Sequence, residues 1–217
     1  MVSAVIFDMD GVIIDSEPLH TRVVIDMMND FGIPISEKEM DRFAGNTNKM
    51  LWNTLSSEYS LKLTTQELGQ IQHDRNLEML SRHQNILIPG IKPLLEYLKN
   101  IPLKTAIASS SNMGFIEAVV RQFNLAQYFD LLLSGQEVQN GKPAPDIFIE
   151  AAKRLGVSVD QCLIIEDSKN GIQAANSARI KVIGFFNPNS GNQDLSKADA
   201  IVDSIDKITM DLINSLL

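Results

Sequence analysis

Residues 4–12 read Ala-Val-Ile-Phe-Asp-Met-Asp-Gly-Val: an apolar run, Ala4–Phe7, that ends in two carboxylates, Asp8 and Asp10, and then Gly11. A short run of this kind, rich in β-branched residues and closed by a turn residue, marks a strand buried on both faces of a sheet. Side chains alternate along an extended chain, so Asp8 and Asp10 project to the same side. Carboxylates that close raise one another's pKa unless a cation or a chemical task offsets the repulsion. Alone, the pair also fits a solvated loop, so its weight depends on what the rest of the chain places beside it.

Similar runs recur at Thr105–Ala108, Leu131–Leu133, Leu163–Ile165 and Val182–Phe186, with a weaker one at Ala200–Val202. Between them, apolar residues fall at helical spacing: Ile91, Leu94, Leu95, Leu98; Ile116, Val119, Val120, Phe123; and Phe148, Ala151, Ala152, Leu155. Strands alternating with helices predict an α/β fold, a doubly wound parallel sheet covered on both faces. The interval between Ala4–Phe7 and Thr105–Ala108 is far longer than one crossover helix needs. It holds no convincing strand, but it has helical faces such as Val24, Met27, Met28, Phe31 and a long polar-rich helix from Thr65 to Arg82. The expectation is a core of residues 1–13 and 86–217, with residues 14–85 inserted as a small helical cap domain. Trp52 and the methionines of those faces read as packing residues, and Asn187–Gln193, NPNSGNQ, reads as a surface loop.

Other polar segments also follow strands. Ser109 closes Thr105–Ala108, Lys142 lies in Gly-Lys-Pro-Ala-Pro-Asp after Leu131–Leu133, and Glu166-Asp167-Ser168 closes Leu163–Ile165. Singly, Ser109 fits a helix start, Lys142 a solvated loop and Asp167 a turn or cap. In an open α/β sheet, however, ligands bind at the carboxyl ends of the strands, so these segments converge on one crevice with Asp8 and Asp10. Together they supply what phosphoryl transfer needs. Asp8 is the nucleophile, a carboxylate that accepts a phosphoryl group to give a labile acyl phosphate. Asp10 is the acid that protonates the leaving oxygen and the base that then activates water. Asp8 and Asp167 hold Mg²⁺, a hard cation that takes oxygen ligands. Ser109, neighbouring backbone amides and the Lys142 ammonium cradle the remaining phosphate oxygens.

The chain has 217 residues, with 19 Lys and Arg against 27 Asp and Glu, a net charge of −8 that argues against nucleic-acid and anionic-membrane partners. Its single cysteine, Cys162, excludes an intramolecular disulfide and a cysteine-built zinc site and reads as an inert buried thiol in a reducing, cytoplasmic setting. Other chemistries fall away on spacing. Gly135-x₅-Gly141-Lys142-Pro143 is one residue too long for a phosphate-binding P-loop and has Pro143 where Ser or Thr must hold the metal. Asp8-x-Asp10-Gly11 places its glycine too early for a calcium loop. Neither a Gly-x-Ser-x-Gly elbow nor a Gly-x-Gly-x-x-Gly fingerprint occurs. His73 and His83 have no metal-ligand companion and read as solvated.

With Asp8-Met-Asp10-Gly-Val, Ser109, Lys142 in GKPAPD and Glu166-Asp167 present in order, the chain resembles phosphatases of the haloacid dehalogenase superfamily. Within it, the match is to the branch with a helical cap after the first motif, which includes β-phosphoglucomutase and sugar-phosphate phosphatases. The resemblance spans essentially the whole chain. It implies Asp8 as nucleophile and Asp10 as acid/base, with a metal set of Asp8, the main-chain carbonyl of Asp10, and the Glu166-Asp167 pair. It also implies that the second aspartate separates phosphatases from dehalogenases. Specificity belongs to the cap, where His20, the Gly45-Asn46-Thr47-Asn48-Lys49 stretch and Arg75 are candidate contacts, joined from the core by Ser110 and Asn112. Mutases of the branch carry an arginine at the position of Asn48, a lysine where Arg75 aligns, and Lys-Asn in place of Asn112-Met113. Those departures favour a phosphatase of a small phosphorylated metabolite, which the resemblance implies is a sugar phosphate, with no obligate protein partner; a sugar phosphomutase is the alternative.

Overall fold

The computed structural model describes residues 2–43 and 47–216. β1 (Ala4–Phe7) is followed by α1 (Glu17–Asp30), α2 (Glu37–Met40), α3 (Asn48–Tyr59), α4 (Thr65–Arg82) and α5 (Ile91–Lys99) before the second strand, β2 (Lys104–Ser109). Then come α6 (Met113–Gln122), β3 (Leu131–Ser134), α7 (Asp146–Leu155), β4 (Cys162–Glu166), α8 (Lys169–Ala178), β5 (Lys181–Phe185), β6 (Ala200–Val202) and α9 (Met210–Leu216). The strands form one parallel sheet in the order β3-β2-β1-β4-β5-β6. This is the doubly wound α/β arrangement expected, with β1 at the point where the strand order reverses.

Why the runs are continuously apolar is visible in the packing. Val5, Phe7, Ile107, Leu163, Ile165 and Ile183 face one way, onto α5, α6 and α9. Ala4, Ile6, Ala106, Ala108, Ile164 and Val182 face the other, onto α7 and α8. Both faces of each central strand are thus removed from water, so neither can be polar. The helical faces of α5 and α7 are buried as the spacing requires. At α6, Phe123 is only partly buried, because it lies one residue past the helix end. Cys162 sits at the start of β4, where burial pushes its thiol up to about 11.

The helices between β1 and β2 bury a separate apolar cluster. It gathers Leu19, Val23, Val24, Met27 and Met28 of α1, Leu51, Trp52 and Leu55 of α3, and Leu68 of α4. Trp52 is fully buried and its indole donates to Gln72 Oε1 at 2.8 Å. Phe31 departs from the expected face: it lies beyond the last turn of α1 and is exposed. α4 begins at a capping box, in which Thr64 and Glu67 satisfy each other's backbone amides. The chain leaves and rejoins the sheet side by side, with Asp15 N donating to Ile86 O and Ile88 N to Ile13 O. Among the described residues no helix is long and apolar enough to cross a membrane.

Candidate active site

At the end of β1 the Asp8 amide donates to Ile165 O at 2.9 Å, which fixes the residue between the two central strands. Its carboxylate is buried. Lys142, in the segment after β3, reaches it with Nζ to Oδ1 at 2.5 Å. The same ammonium donates to Glu166 Oε1 at 2.8 Å and Ala108 O at 3.2 Å, and it lies 4.8 Å from the centre of the Phe148 ring. Lys142 is therefore a buried group with three oxygen acceptors, unlike a solvated loop lysine. Glu166, fully buried, accepts with Oε2 from the Ser168 amide and hydroxyl at 2.7 and 2.8 Å. Both its oxygens are engaged, so it holds Lys142 in place. Ser168, not Asp167, caps α8.

Asp167 completes the group. Carboxylate oxygens of Asp8, Glu166 and Asp167 lie within 4.8 Å of one another. Burial pushes the Asp8 carboxyl up to about 8 despite Lys142, with Glu166 and Asp10 adding to the rise. Asp167 is raised too, by burial and then by the charges of Glu166 and Asp8. Burial alone would lower Lys142, but the two carboxylates beside it reverse the sign and raise it. Three buried carboxylates thus share one ammonium, and an oxygen donor set with that excess of negative charge suits a hard divalent cation.

Gly11 supplies the room. Its φ is +78°, and a Cβ there would lie 1.9 Å from Asp167 Oδ2 and 2.8 Å from Ser190 Oγ. An L residue at such a φ costs about 1–2 kcal/mol before any clash, so Gly11→Ala is expected to lower the melting temperature by at least about 2–4 °C. An unchanged melting curve would contradict the close approach.

The carboxylate of Asp10 is not part of this cluster. It turns instead to Ser16 Oγ (2.6 Å) and His20 Nε2 (3.3 Å) through Oδ1, and to Ser111 Oγ (2.7 Å) and Ser109 Oγ (3.1 Å) through Oδ2. Burial alone would raise it, but the hydrogen bonds and charge of His20, with those of Ser16 and Ser111, hold the carboxyl at about 2. His20 is raised in return: burial opposes the charge, and Asp10, Glu17 and Asn76 outweigh it. Asn76 Oδ1 and His20 Nδ1 are both buried and have no hydrogen-bond partner of ordinary length among the described residues. Four donors thus account for the Asp10 side chain, and the expected metal role of this residue rests on its main-chain carbonyl alone.

The remaining sequence candidates divide. Ser109 is buried at the end of β2, and its hydroxyl also accepts from the Ser111 amide at 3.0 Å, so it is not a helix start. That position belongs to Asn112, which caps α6 through the Phe115 amide and donates to His73 Nδ1 at 2.8 Å. His73, read as solvated, thus touches the core from α4. Ser110 is exposed, as are Asn48 and Lys49 in the first turn of α3. Gly45 and Asn46 lie outside the described residues. Arg75 pairs with Asp30 at 2.7 Å, on the wall of a surface groove of about 260 Å³ shared with Asp26, Glu78 and Arg82. It is Asn76, one residue on, that faces His20.

The Asn187–Gln193 stretch is not simply a surface loop. Asn187 and Ser190 are buried, and Ser190 Oγ donates to Asp167 Oδ2. Its polar composition misled because buried carboxylates and carbonyls need polar partners as much as water-facing turns do. Ser16, Ser111, Ser190 and Asn76 were not singled out beforehand, and Gly11 was read only as a turn residue. For Ser16 and Ser111 a signal existed: Ser16 precedes His20 by one helical turn, and Ser111 alternates with Ser109.

Comparison with known proteins agrees with this geometry. A family profile described as haloacid dehalogenase-like hydrolase matches residues 5–185. A phosphorylated carbohydrates phosphatase of Thermotoga maritima is 30% identical over 203 residues, covering 92% of this chain and 93% of that protein. Hexitol phosphatase B of Escherichia coli K12 is 30% identical over 220 residues, covering 96% and 95%. Among solved structures, β-phosphoglucomutase of Clostridium difficile superposes with a TM-score of 0.84 at 26% identity, over 99% of this chain and 96% of that one. A doubly wound sheet whose strand ends bring Asp8, Lys142 and Asp167 together, in a chain matching that profile over most of its length, belongs to the haloacid dehalogenase-like hydrolase family and is a phosphoric monoester hydrolase of it.

Proposed function

We infer that this protein is a Mg²⁺-dependent phosphatase that hydrolyses a small sugar phosphate through a phosphoaspartate on Asp8, with residues 14–85 acting as its cap. The observation that carries this reading is the division of labour at the sheet edge. Asp8 sits in the buried cluster with Lys142, Glu166 and Asp167, while Asp10 is held separately by serines and His20. Asp8, Asp167 and the Asp10 carbonyl would hold the metal, which when bound neutralises the phosphate oxygens and the carboxylates facing them.

The steps then fall to the chain's own residues. One oxygen of Asp8 attacks phosphorus and the ester P–O bond breaks. Lys142 and Ser109, with backbone amides of the 109–111 turn, take up charge on the other phosphate oxygens. The leaving oxygen receives its proton from Asp10. Asp10 next removes a proton from water, which attacks the same phosphorus, frees inorganic phosphate and regenerates Asp8. In the geometry described, Asp10 is a carboxylate held by four donors and takes the base role directly. Its acid role requires a proton on that carboxylate, which each activation of water leaves there for the next turnover, and the exchange of those donors for the leaving oxygen.

The relatives named as phosphatases of phosphorylated carbohydrates and hexitols support a sugar or polyol phosphate as substrate. The likeness to a β-phosphoglucomutase supports a second reading, a sugar phosphomutase. The cap side favours hydrolysis: Arg75 pairs with Asp30, Lys49 is exposed and position 48 is an asparagine, so none of these three described positions offers an unpaired guanidinium to a second phosphate. A cytoplasmic location fits the single buried cysteine.

The reading is tested with p-nitrophenyl phosphate and a panel of sugar phosphates, following free phosphate. Release is expected with Mg²⁺, abolition by EDTA, and recovery on adding Mg²⁺ back. Full activity in EDTA would remove the metal from the scheme, and no release from any ester would sink the reading.

A further inference from the structure

The turn after β5 touches two things at once. Ser190 donates to Asp167 Oδ2, the oxygen that also lies against Gly11. Three residues earlier, Asn187 Nδ2 donates to Gly11 O at 3.0 Å and to Asp15 Oδ1 at 3.3 Å. Asn189 Nδ2 donates to Asp15 Oδ2 at 2.6 Å, and the Asn189 amide donates to Asn187 Oδ1 at 2.9 Å. Asp15 is the residue whose amide bonds to Ile86, where the outgoing and returning chains lie side by side. One short turn therefore grips the acidic cluster at one end and the root of the helical insert at the other. Asn187 and Ser190 are buried although the turn is polar, which a loop without internal partners would not sustain.

We propose that residues 187–190 are a positioning brace: Ser190 sets the Asp167 carboxylate as a cation ligand, while Asn187 and Asn189 hold Gly11 and Asp15. Cation binding and the path into the helical insert are thereby tied together. A hydroxyl on a ligating carboxylate fixes its plane, and loss of such outer partners typically weakens metal binding 10–100-fold. On the other side, with Gly11 pressed against Asp167, any shift of that carboxylate is passed to Asn187 and then to Asp15. The proposal rests on the acidic cluster being a divalent-cation site.

Two readouts that do not depend on turnover test it in the full chain. Calorimetric Mg²⁺ titration should show Ser190→Ala weakened roughly 10-fold or more, and Ser190→Thr, which keeps the hydroxyl, close to wild type. Amide hydrogen exchange should show Mg²⁺ slowing the amides of residues 187, 189 and 190 and of 13–15 together. In Asn189→Ala, at an exposed position, Mg²⁺ should still protect 187 and 190 but protect 13–15 less than in wild type, because Asn187 keeps its bonds to Gly11 and Asp15. A folded Ser190→Ala that binds Mg²⁺ as tightly as wild type, or a Ser190→Thr no better than Ser190→Ala, overturns the proposal. So does wild-type exchange at 13–15 that ignores Mg²⁺, which decides the matter even if Ser190→Ala does not fold. A wild type that binds neither Mg²⁺ nor Mn²⁺ instead defeats the cation-site reading beneath it.

Discussion

Asp8→Asn is expected to abolish turnover, by roughly 10⁴-fold or more, with the fold intact. An amide of the same size has no anionic oxygen to attack phosphorus and is a weaker ligand for a hard cation. The substitution should be tolerated structurally, because it removes one of three buried carboxylates gathered near a single ammonium, at a position where burial already pushes the carboxyl up to about 8. Circular dichroism and the melting curve should match or exceed wild type while phosphate release vanishes. Activity within tenfold of wild type would exclude Asp8 as nucleophile.

Asp10→Asn is expected to lower turnover by about 10²–10⁴, the usual contribution of a positioned acid/base group. The loss should be greatest with an alkyl phosphate, whose leaving oxygen needs the proton, and smaller with p-nitrophenyl phosphate, whose leaving group departs unaided. Asp10 accepts from Ser16, His20, Ser109 and Ser111, and an asparagine can accept only through its single oxygen. Some disturbance of His20 and the 109–111 turn should therefore accompany the kinetic defect. Equal loss with both esters would show a structural role in place of proton transfer.

The strands and the convergence of their ends were legible in the sequence because burial on both faces leaves only apolar residues there. Val182–Phe186 was displaced by one residue for the same reason: Phe186 is apolar yet exposed, and the strand ends at Phe185. Nothing in local composition distinguishes the Asn187–Gln193 turn that braces Asp167 from one that faces water. Nor does a motif reveal where a carboxylate points: Asp8 and Asp10 share a strand end, but the first meets Lys142, 134 residues away, and the second meets Ser16 and His20 nearby together with Ser109, 99 residues away, and Ser111. On α4 the difference between Arg75 and Asn76 is one residue, about 100° around the helix, which suffices to put one on a surface ion pair and the other beside His20.

Hydrolysis as the fate of the phosphoryl group on Asp8 is tested most directly by supplying β-glucose 1-phosphate with catalytic glucose 1,6-bisphosphate and Mg²⁺ and following glucose 6-phosphate and free phosphate separately. The expected result is free phosphate accounting for the phosphate ester consumed, with little glucose 6-phosphate. Rapid formation of glucose 6-phosphate with little free phosphate would contradict it and make the protein a mutase.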